Sequence, residues 1–337
     1  MQDVPNTGVL TGKPIAHGGD LGEVRRRHPD APQPWIDLST GINPVPYPVI
    51  EQPADVWSRL PSREAEQALT AAAAARYRCA PGQLVAAPGT QALIQILPRL
   101  VPRSRVAIVG PTYAEHEHNW HRHGHDVAVV TSLAARDADV VVVVNPDNPT
   151  GRLLPTPALR GVTARLLVVD EAFIDLLPGE ASLAGNLPGH AVVLRSFGKT
   201  YGLAGLRLGF AIAHETLARQ LRDELGPWAV AGPALTIGAA ALADDAWLQA
   251  VATRLADDAQ KLDALLASAG FTILGGTTLF RLASHPKAHD KAEDLARQGI
   301  HVRAFGHQPT WLRFGLPAGD GEFRRLSAAL QVPQKVR

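Results

Sequence analysis

The strongest candidate for chemistry is a lysine in a glycine-rich segment. Lys199 lies within Ser196-Phe-Gly-Lys-Thr-Tyr-Gly-Leu-Ala-Gly-Leu-Arg-Leu-Gly-Phe210, directly after an apolar run. A lysine that attacks an aldehyde needs a pKa lowered by burial or by a nearby cation, and a firmly held backbone. Ser196 and Arg207 are close enough in sequence to hold a phosphate beside it. The alternative is a solvated lysine on a loop, which is what most lysines are.

Two polar residues follow other apolar runs. Asp170 ends the run Leu-Leu-Val-Val-Asp, and ligands of open α/β sheets bind at the carboxyl ends of strands. A carboxylate there can keep a pyridine nitrogen protonated, which makes the ring an electron sink. The alternative role for such an Asp is to cap the next helix. Asn148, in Asn145-Pro-Asp-Asn-Pro-Thr-Gly151, can donate an amide hydrogen bond to a phenolic oxygen, although the motif alone is an ordinary turn.

A third segment has the features of a phosphate-binding turn. Pro88-Gly-Thr-Gln-Ala-Leu-Ile94 is typical of a strand-to-helix turn, whose first helical N–H groups are free to bind an anion. We assign the phosphate contact to Gly89, Thr90 and Gln91. Tyr113 follows the next apolar run and can stack on a planar ring. Ordinary core packing is the alternative for Tyr113, and it is favoured for this residue taken alone.

Short apolar runs alternate with helical patterns around these residues. Runs of Val, Ile and Leu without alternation are typical of strands buried on both faces of a mostly parallel sheet. Strands are predicted at residues 83–87, 105–109, 126–130, 139–144, 165–169 and 191–195, and an alanine-rich helix is predicted at residues 63–77.

The pattern changes after Pro227-Trp228. A long helix is predicted at residues 239–268, followed by short strands at residues 271–274 and 278–282. The chain is therefore predicted to be an α/β protein with a large cofactor-binding domain at residues 47–225. The remaining segments, 1–46 and 226–337, are predicted to form an N-terminal arm and a smaller α+β domain, with a bend in a helix near residue 225.

Composition limits the possible partners. The 337 residues include 33 Lys and Arg against 32 Asp and Glu, so no basic surface for nucleic acid or an anionic membrane is expected. A single cysteine, Cys79, excludes an intramolecular disulfide. The segment Met1–Asp20 lacks the features of a secretory signal, and no run approaches the roughly 18 apolar residues of a membrane span. A cytoplasmic protein with a small-molecule ligand is expected.

Five histidines lie between residues 116 and 125, which raises the question of a metal site. They stand in His116-Glu-His-Asn-Trp-His-Arg-His-Gly-His125 with a spacing that would spread side chains around a helix axis. Metal sites need converging ligands. We therefore expect a solvated helical face and no metal.

Four motifs in this order are far more specific than any one of them. The chain resembles class I and II aminotransferases of the histidinol-phosphate type, which have fold type I and use pyridoxal 5'-phosphate. This resemblance implies that Lys199 carries the cofactor as a Schiff base, that Asp170 pairs with the pyridine nitrogen, that Asn148 contacts the ring oxygen and that Tyr113 stacks on the ring. It also implies that the phosphate is held by Ser196, Arg207, Thr90 and Gln91.

The closer resemblance is to the threonine-phosphate decarboxylases of the cobalamin pathway. It depends on four segments outside the shared motifs, His17-Gly-Gly-Asp20, Asp37-Leu-Ser-Thr-Gly-Ile-Asn-Pro44, Asp170-Glu-Ala-Phe-Ile-Asp175 and Pro227-Trp228. The resemblance implies a homodimer that decarboxylates L-threonine O-3-phosphate to (R)-1-amino-2-propanol O-2-phosphate. It places substrate contacts at His17, Gly18, Gly41, Asn148, Arg303 and Arg313.

Two alternatives remain at this point. One is a histidinol-phosphate-type aminotransferase that uses 2-oxoglutarate and glutamate, because the same residues serve both reactions. The other is a catalytically silent domain kept as a scaffold subunit, against which the presence of Lys199, Asp170 and Asn148 together argues. Without the resemblance, Arg303 and Arg313 would be interpreted as surface side chains of a C-terminal strand.

The chain departs from the family pattern at three positions. Phe173 stands where histidinol-phosphate aminotransferases typically have Tyr, so one donor to the ring oxygen is lost and Asn148 acts more alone. Arg59-Leu-Pro61 replaces an Arg-Tyr-Pro phrase that brings an aromatic hydroxyl from the neighbouring subunit. Gly41 stands where some decarboxylases have Asn. These departures concern the substrate more than the fold.

Overall fold

Strands and helices alternate along most of the chain. A computed structural model describes residues 17–49, 51–133 and 137–331. In these ranges the strands are β1 (Ile36–Leu38), β2 (Leu84–Ala87), β3 (Arg105–Val109), β4 (Asp126–Val130), β5 (Val140–Val144), β6 (Leu166–Asp170), β7 (Ala191–Ser196), β8 (Gly209–Ala213), β9 (Thr272–Thr277), β10 (Phe280–Ser284), β11 (Ile300–Phe305) and β12 (Gln308–Gly315). The α-helices are α1 (Leu21–Arg27), α2 (Ala54–Ser58), α3 (Arg63–Tyr77), α4 (Thr90–Ile96), α5 (Ala114–Arg122), α6 (Thr156–Arg160), α7 (Phe197–Thr200), α8 (Glu215–Leu225), α9 (Gly232–Ala243), α10 (Asp245–Ser268), α11 (Ala288–Arg297) and α12 (Asp320–Ala329).

A seven-stranded sheet forms the centre of the larger unit. Its order is β2-β8-β7-β6-β5-β3-β4, and the strands from β7 to β4 are parallel while β8 and β2 are antiparallel to their neighbours. Every residue of β5 and β6 is buried, as the unbroken apolar runs require. The predicted α/β class with a mostly parallel sheet is confirmed. The predicted bounds of β3 and β4 match the structure, and those of β2, β5, β6 and β7 differ by only a residue at one or both ends.

Helices cover both faces of this sheet. On one face α3 and α9 pack on alternate residues of β5 and β6, including Val141 and Val169. The other face, with Val142 and Val168, is covered by α4, α5 and α8. The predicted helix at residues 63–77 is confirmed, and it begins where the Ser62 side chain accepts a hydrogen bond from the Ala65 N–H.

A five-stranded sheet forms the core of the second unit. Its order is β1-β11-β12-β10-β9, and β1 from the N-terminal part of the chain runs parallel to β11. Helices α10, α11 and α12 pack on it around Leu255, Phe280 and Phe314. The N-terminal segment thus contributes a strand to the smaller unit. Residues 1–16 of the predicted arm lie outside the described residues, and the domain limits stay a prediction.

Two details of the C-terminal half were predicted wrongly. The chain does not bend within a helix near residue 225, because α8 ends at Leu225 and Gly226 takes a left-handed φ of 72°. The single helix predicted at residues 239–268 is two helices. Asp244 separates them and caps the second by accepting a hydrogen bond from the Trp247 N–H. None of the described helices combines the length and apolarity that a membrane crossing needs.

A buried ionic cluster joins the ends of β6 and β7. Arg195 donates to Glu171 at 3.0 Å and forms a second ion pair with Asp175. The guanidinium also lies 4.4 Å from the centre of the Tyr77 ring. All three charged side chains are buried. Because Arg195 precedes Ser196 and Glu171 follows Asp170, this cluster fixes the ends of two strands at the residues that sequence patterns assign to the cofactor.

We predict that Arg195→Met lowers the free energy of unfolding by about 3–5 kcal/mol, because two buried carboxylates lose their cation. The matched control is Arg105→Met, which removes an exposed ion pair with Asp139 and should cost less than about 1 kcal/mol. Urea denaturation of both variants measures the difference. Equal, small losses would contradict a structural role for the buried cluster.

Candidate active site

A cavity opens at the carboxyl ends of β5, β6 and β7. Strands that run parallel bring their carboxyl ends to one edge of the sheet, so the residues that follow them meet there. The lining residues are Gly89, Thr90, Gln91, Tyr113, Val144, Asn148, Asp170, Ala172, Phe173, Ser196, Gly198, Lys199, Ala204, Arg207 and Leu208. All nine residues predicted to bind the cofactor are among them. We call this space the inner cavity.

Lys199 lies on the short helix α7, directly after β7. Its carbonyl accepts a hydrogen bond from the Asn43 N–H at 2.9 Å, which fixes the backbone. Burial, helped by the positive charges of Arg313 and Arg207 and opposed by Asp170, lowers the pKa of the amine from 10.5 to about 8. A neutral amine is therefore available near neutral pH, as attack on an aldehyde requires.

Asp170 is held by a histidine that sequence analysis placed on a solvated surface. His116 is buried, and its Nε2 lies 3.0 Å from the Asp170 Oδ2. The Ala172 N–H donates to the other oxygen at 3.1 Å. Both carboxylate oxygens are thereby engaged, which fixes the orientation of the group at the end of β6.

The predicted solvated histidine face is therefore only partly right. His118 and His121 are exposed, but His116 and His125 are buried, and His125 lies 2.9 Å from the Pro98 carbonyl oxygen. The signal was available, because His116, Asn119 and Trp120 have the i, i+3, i+4 spacing of a buried helical face. Within the described ranges no three His, Cys, Asp or Glu side chains come together as metal ligands would.

Hydroxyls and a guanidinium meet at the first turn of α4. The hydroxyl oxygens of Thr90 and Ser196 are 2.8 Å apart. A Cβ at Gly89, where φ is 83°, would lie 2.7 Å from a terminal nitrogen of Arg207, so only glycine lets the guanidinium approach this turn. The Gln91 amide nitrogen is engaged, since it donates to the Glu115 carboxylate at 2.7 Å. The backbone N–H of Gln91 is then the group left to contact an anion.

A second cavity adjoins the first and shares Tyr113, Asn148, Phe173 and Lys199 with it. Its other lining residues are His17, Gly18, Thr40, Gly41, Pro111, Thr112, Ala114, Pro149, Arg303, Phe305, His307 and Arg313. All six residues predicted to contact the substrate are in this set. We call this space the outer cavity.

Two arginines lie side by side in the outer cavity. Arg303 on β11 and Arg313 on β12 are directly opposite in the strand register, so both side chains lie on one face. Arg313 donates to the Asn148 amide oxygen at 2.5 Å and to the Ser39 carbonyl at 2.6 Å. Its buried Nε has no partner in the described structure. Burial, followed by the charge of Arg303, lowers the pKa of Arg313 to about 10.

The departure at Gly41 has a steric basis. A Cβ at this position would lie 2.8 Å from Phe280 and 2.9 Å from Phe173, whose rings meet edge to face with centroids 5.0 Å apart. A side chain at this position would therefore collide with both rings as they stand. Gly41 and Phe173 together shape this part of the outer cavity.

The cationic surroundings of Lys199 lead to a pH prediction. Arg313→Met should raise the pKa of the Lys199 amine above its value of about 8, because it removes the strongest opposing charge. The measurement is the pH dependence of Lys199 acetylation by acetic anhydride in cofactor-free protein, followed by mass spectrometry. The exposed Lys287 in the same samples is the internal control. A wild-type midpoint near 10 would contradict the electrostatic account.

Comparison with known proteins agrees with this geometry. A model of the family "aminotransferase class I and II" matches residues 35–325. The chain is 45% identical over 328 residues to a threonine-phosphate decarboxylase from Sinorhizobium sp, covering 94% of this chain and 98% of that protein. A threonine-phosphate decarboxylase from Pseudomonas aeruginosa is 42% identical, with 94% and 97% covered.

Solved structures show the same fold. The histidinol-phosphate aminotransferase from Sinorhizobium meliloti, in complex with pyridoxal-5'-phosphate, superposes with a TM-score of 0.80 at 23% identity, covering 96% of this chain and 97% of that one. The L-threonine-O-3-phosphate decarboxylase from Porphyromonas gingivalis gives 0.72 at 19% identity, with 88% and 98% covered. The predicted fold type I is confirmed. Since the family model spans most of the sequence, the chain belongs to the class I and II aminotransferase family.

Proposed function

We propose that this chain is a pyridoxal-phosphate-dependent carboxy-lyase that converts L-threonine O-3-phosphate to (R)-1-amino-2-propanol O-2-phosphate in cobalamin biosynthesis. The observation that carries the proposal is the pair Arg303 and Arg313, which lie together in the cavity that also contains the Lys199 amine. Two adjacent cations favour a ligand with two anionic groups, such as a carboxylate and a phosphate. The two relatives above 40% identity are named for this reaction.

The residues of the inner cavity fit pyridoxal 5'-phosphate. Asp170, oriented by His116, would face the pyridine nitrogen, and Tyr113 would stack on the ring. Because the Asn148 amide oxygen accepts from Arg313, its NH₂ group is free to donate to the ring oxygen. Thr90, Ser196 and Arg207, with the Gly89 turn, would hold the phosphate. Bound at Lys199, the cofactor supplies an electron sink for the pair left when a bond at the substrate Cα breaks.

The outer cavity would then select the bond that breaks. The planar guanidinium of Arg313 suits the substrate carboxylate, and Arg303 with His17 suits the phosphate. Holding the substrate at both ends would restrict rotation about the bond between its Cα and its nitrogen, and so would select which bond at Cα breaks. The Lys199 amine, with a pKa of about 8, is the group positioned to return a proton to Cα after CO₂ leaves.

Transamination is the second candidate, because the same Lys199 amine could remove a proton from Cα. Histidinol-phosphate aminotransferases are among the structures that superpose well on this chain. The two reactions differ in their need for a second substrate, since an aminotransferase requires a keto acid such as 2-oxoglutarate. Histidinol phosphate also has no carboxylate for Arg313 to bind.

We predict that the purified, cofactor-loaded protein releases CO₂ from L-threonine O-3-phosphate without a keto acid. Lys199→Ala should reduce the rate by about a thousandfold or more, as loss of a group at the reacting centre does. Lys287→Ala, at an exposed lysine directly before α11, is the control and should keep the wild-type rate. Glutamate formation from 2-oxoglutarate in place of CO₂ release would move the assignment to the aminotransferase. Failure to bind the cofactor at all would favour a silent domain.

We also infer that the chain forms a homodimer through the segment that follows Asn43. Large apolar side chains are exposed on this segment, with Val49 55%, Trp57 69% and Leu60 67% accessible. Such a patch favours an interface. The segment begins beside the Lys199 backbone, so a partner bound here would adjoin the site. Leu60 also lacks the hydroxyl that the family's tyrosine brings from a neighbouring subunit.

Trp57→Glu is expected to convert the dimer to a monomer, because a charge would have to be buried at the interface. Light scattering at micromolar concentration measures the mass. Leu274→Glu, which alters an exposed apolar residue of β9 in the smaller unit, is the matched control and should leave the mass unchanged. A wild-type monomer, or a dimer that persists in Trp57→Glu, would contradict this interface.

A further inference from the structure

The N-terminal segment 17–19 crosses from one unit of the protein to the other above the outer cavity. On one side it rests on Ser39, which follows β1. The Gly19 N–H donates to the Ser39 hydroxyl at 2.8 Å, and a Cβ at Gly18 would lie 2.3 Å from the Ser39 carbonyl oxygen. On the other side His17 reaches the larger unit, where its Nε2 lies 2.8 Å from the Glu115 carboxylate.

Glu115 connects this crossing to the inner cavity. One carboxylate oxygen faces His17, and the other accepts from the Gln91 amide at 2.7 Å and from the Asn119 amide at 3.1 Å. The Glu115 side chain is only 13% exposed, while that of His17 is 45% exposed. The carboxylate is therefore a fixed acceptor, held by residues of α4 and α5, and the more exposed imidazole of His17 lies against it.

The first turn of a helix favours an acidic residue for its dipole alone, so a purely structural role must be weighed. Glu117, two residues further along α5, is also acidic and in the first turn. It is exposed, and its closest described cation is His121 at 3.9 Å. Glu115 differs because it turns inward and meets three donors. Helix stabilisation does not require those contacts, and one of them ends on a residue of the outer cavity.

We propose that Glu115 is a positioning residue that sets the preference of the site for phosphorylated amines by holding His17 over the outer cavity. Because a carboxylate only accepts, its hydrogen bond with Nε2 requires a proton on that nitrogen. Nδ1 is then the ring nitrogen left to contact a ligand of the outer cavity, and when it carries a proton it can donate to an anion beside Arg303. This inference rests on the proposed function, since it assigns the phosphate of the substrate to His17 and Arg303.

Glu115→Gln is nearly isosteric and tests the charge alone. A glutamine can present one carbonyl oxygen, so it cannot accept from His17 and from Gln91 and Asn119 through two oxygens as the carboxylate does. Where its NH₂ faces His17, Nε2 must accept that hydrogen bond, so the ring can no longer donate from both of its nitrogens. The expected consequence is weaker binding of the phosphorylated amine and unchanged binding of the amine that lacks the phosphate.

The experiment compares 2-aminoethyl phosphate with ethanolamine, two amines that differ only by the phosphate and have no carboxylate to lose. Calorimetry on cofactor-loaded protein gives the dissociation constant of each amine, and the preference for phosphate is the ratio of the ethanolamine constant to the 2-aminoethyl phosphate constant. Glu115→Gln should lower that ratio about tenfold, the size expected for one charge-assisted hydrogen bond. Glu117→Gln should leave it unchanged. In a His17→Gln background, Glu115→Gln should add less than about twofold, because the two residues act together.

Three results would overturn the inference. Glu115→Gln could weaken the binding of both amines equally, it could weaken neither, or its loss of affinity could multiply with that of His17→Gln in the double variant. The proposed reaction can fail separately. A wild-type protein that prefers the phosphorylated amine through Glu115 but releases no CO₂ from L-threonine O-3-phosphate would retain the positioning role and lose the decarboxylase. A wild-type protein without that preference would remove the role of Glu115, whatever the reaction.

Discussion

An excess of positive charge around one lysine is the constraint on which the rest of the site depends. Lys199, Arg207, Arg303 and Arg313 line the two adjoining cavities, and Asp170 is the only acidic side chain among the lining residues that the structure describes. Four cations around one carboxylate give the lining of the two cavities a net positive charge, which favours anionic ligands. The site is therefore built to be completed by anions, and a phosphorylated cofactor with a substrate that has a phosphate and a carboxylate supplies them.

The large sheet and its buried ion pairs hold the charged residues of the site in position. The parallel strands bring Asp170 and Ser196 to one edge, and the ion pairs of Arg195 with Glu171 and Asp175 fix the two strand ends from the buried side. The Asn145–Gly151 turn approaches the smaller unit so closely that a Cβ at Gly151 would lie 2.0 Å from the Gly276 carbonyl oxygen. Since only glycine permits that contact, the position of Asn148 is tied to the sheet that contains Arg313.

Many of the secondary-structure elements and the lining of the inner cavity could be predicted from the sequence, because they follow from local patterns. The apolar runs gave the bounds of β3 and β4, the alanine-rich stretch gave α3, and the strand-end motifs gave the members of the inner cavity. Long-range contacts could not be predicted in this way. The pairing of Arg303 with Arg313 depends on strand register, and the contact of His116 with Asp170 depends on how α5 packs. The break at Asp244 was missed because helix propensity is high on both sides of the cap.

The most direct test of this account is the covalent attachment point of the cofactor. The protein is incubated with pyridoxal 5'-phosphate, reduced with borohydride, digested and analysed by mass spectrometry. The lowered pKa of Lys199 and its place in the inner cavity predict that the peptide containing Lys199 gains the phosphopyridoxyl group, while peptides with Lys261, Lys287 and Lys291 do not. Attachment to one of those lysines, or no stable attachment at Lys199, would contradict the central claim.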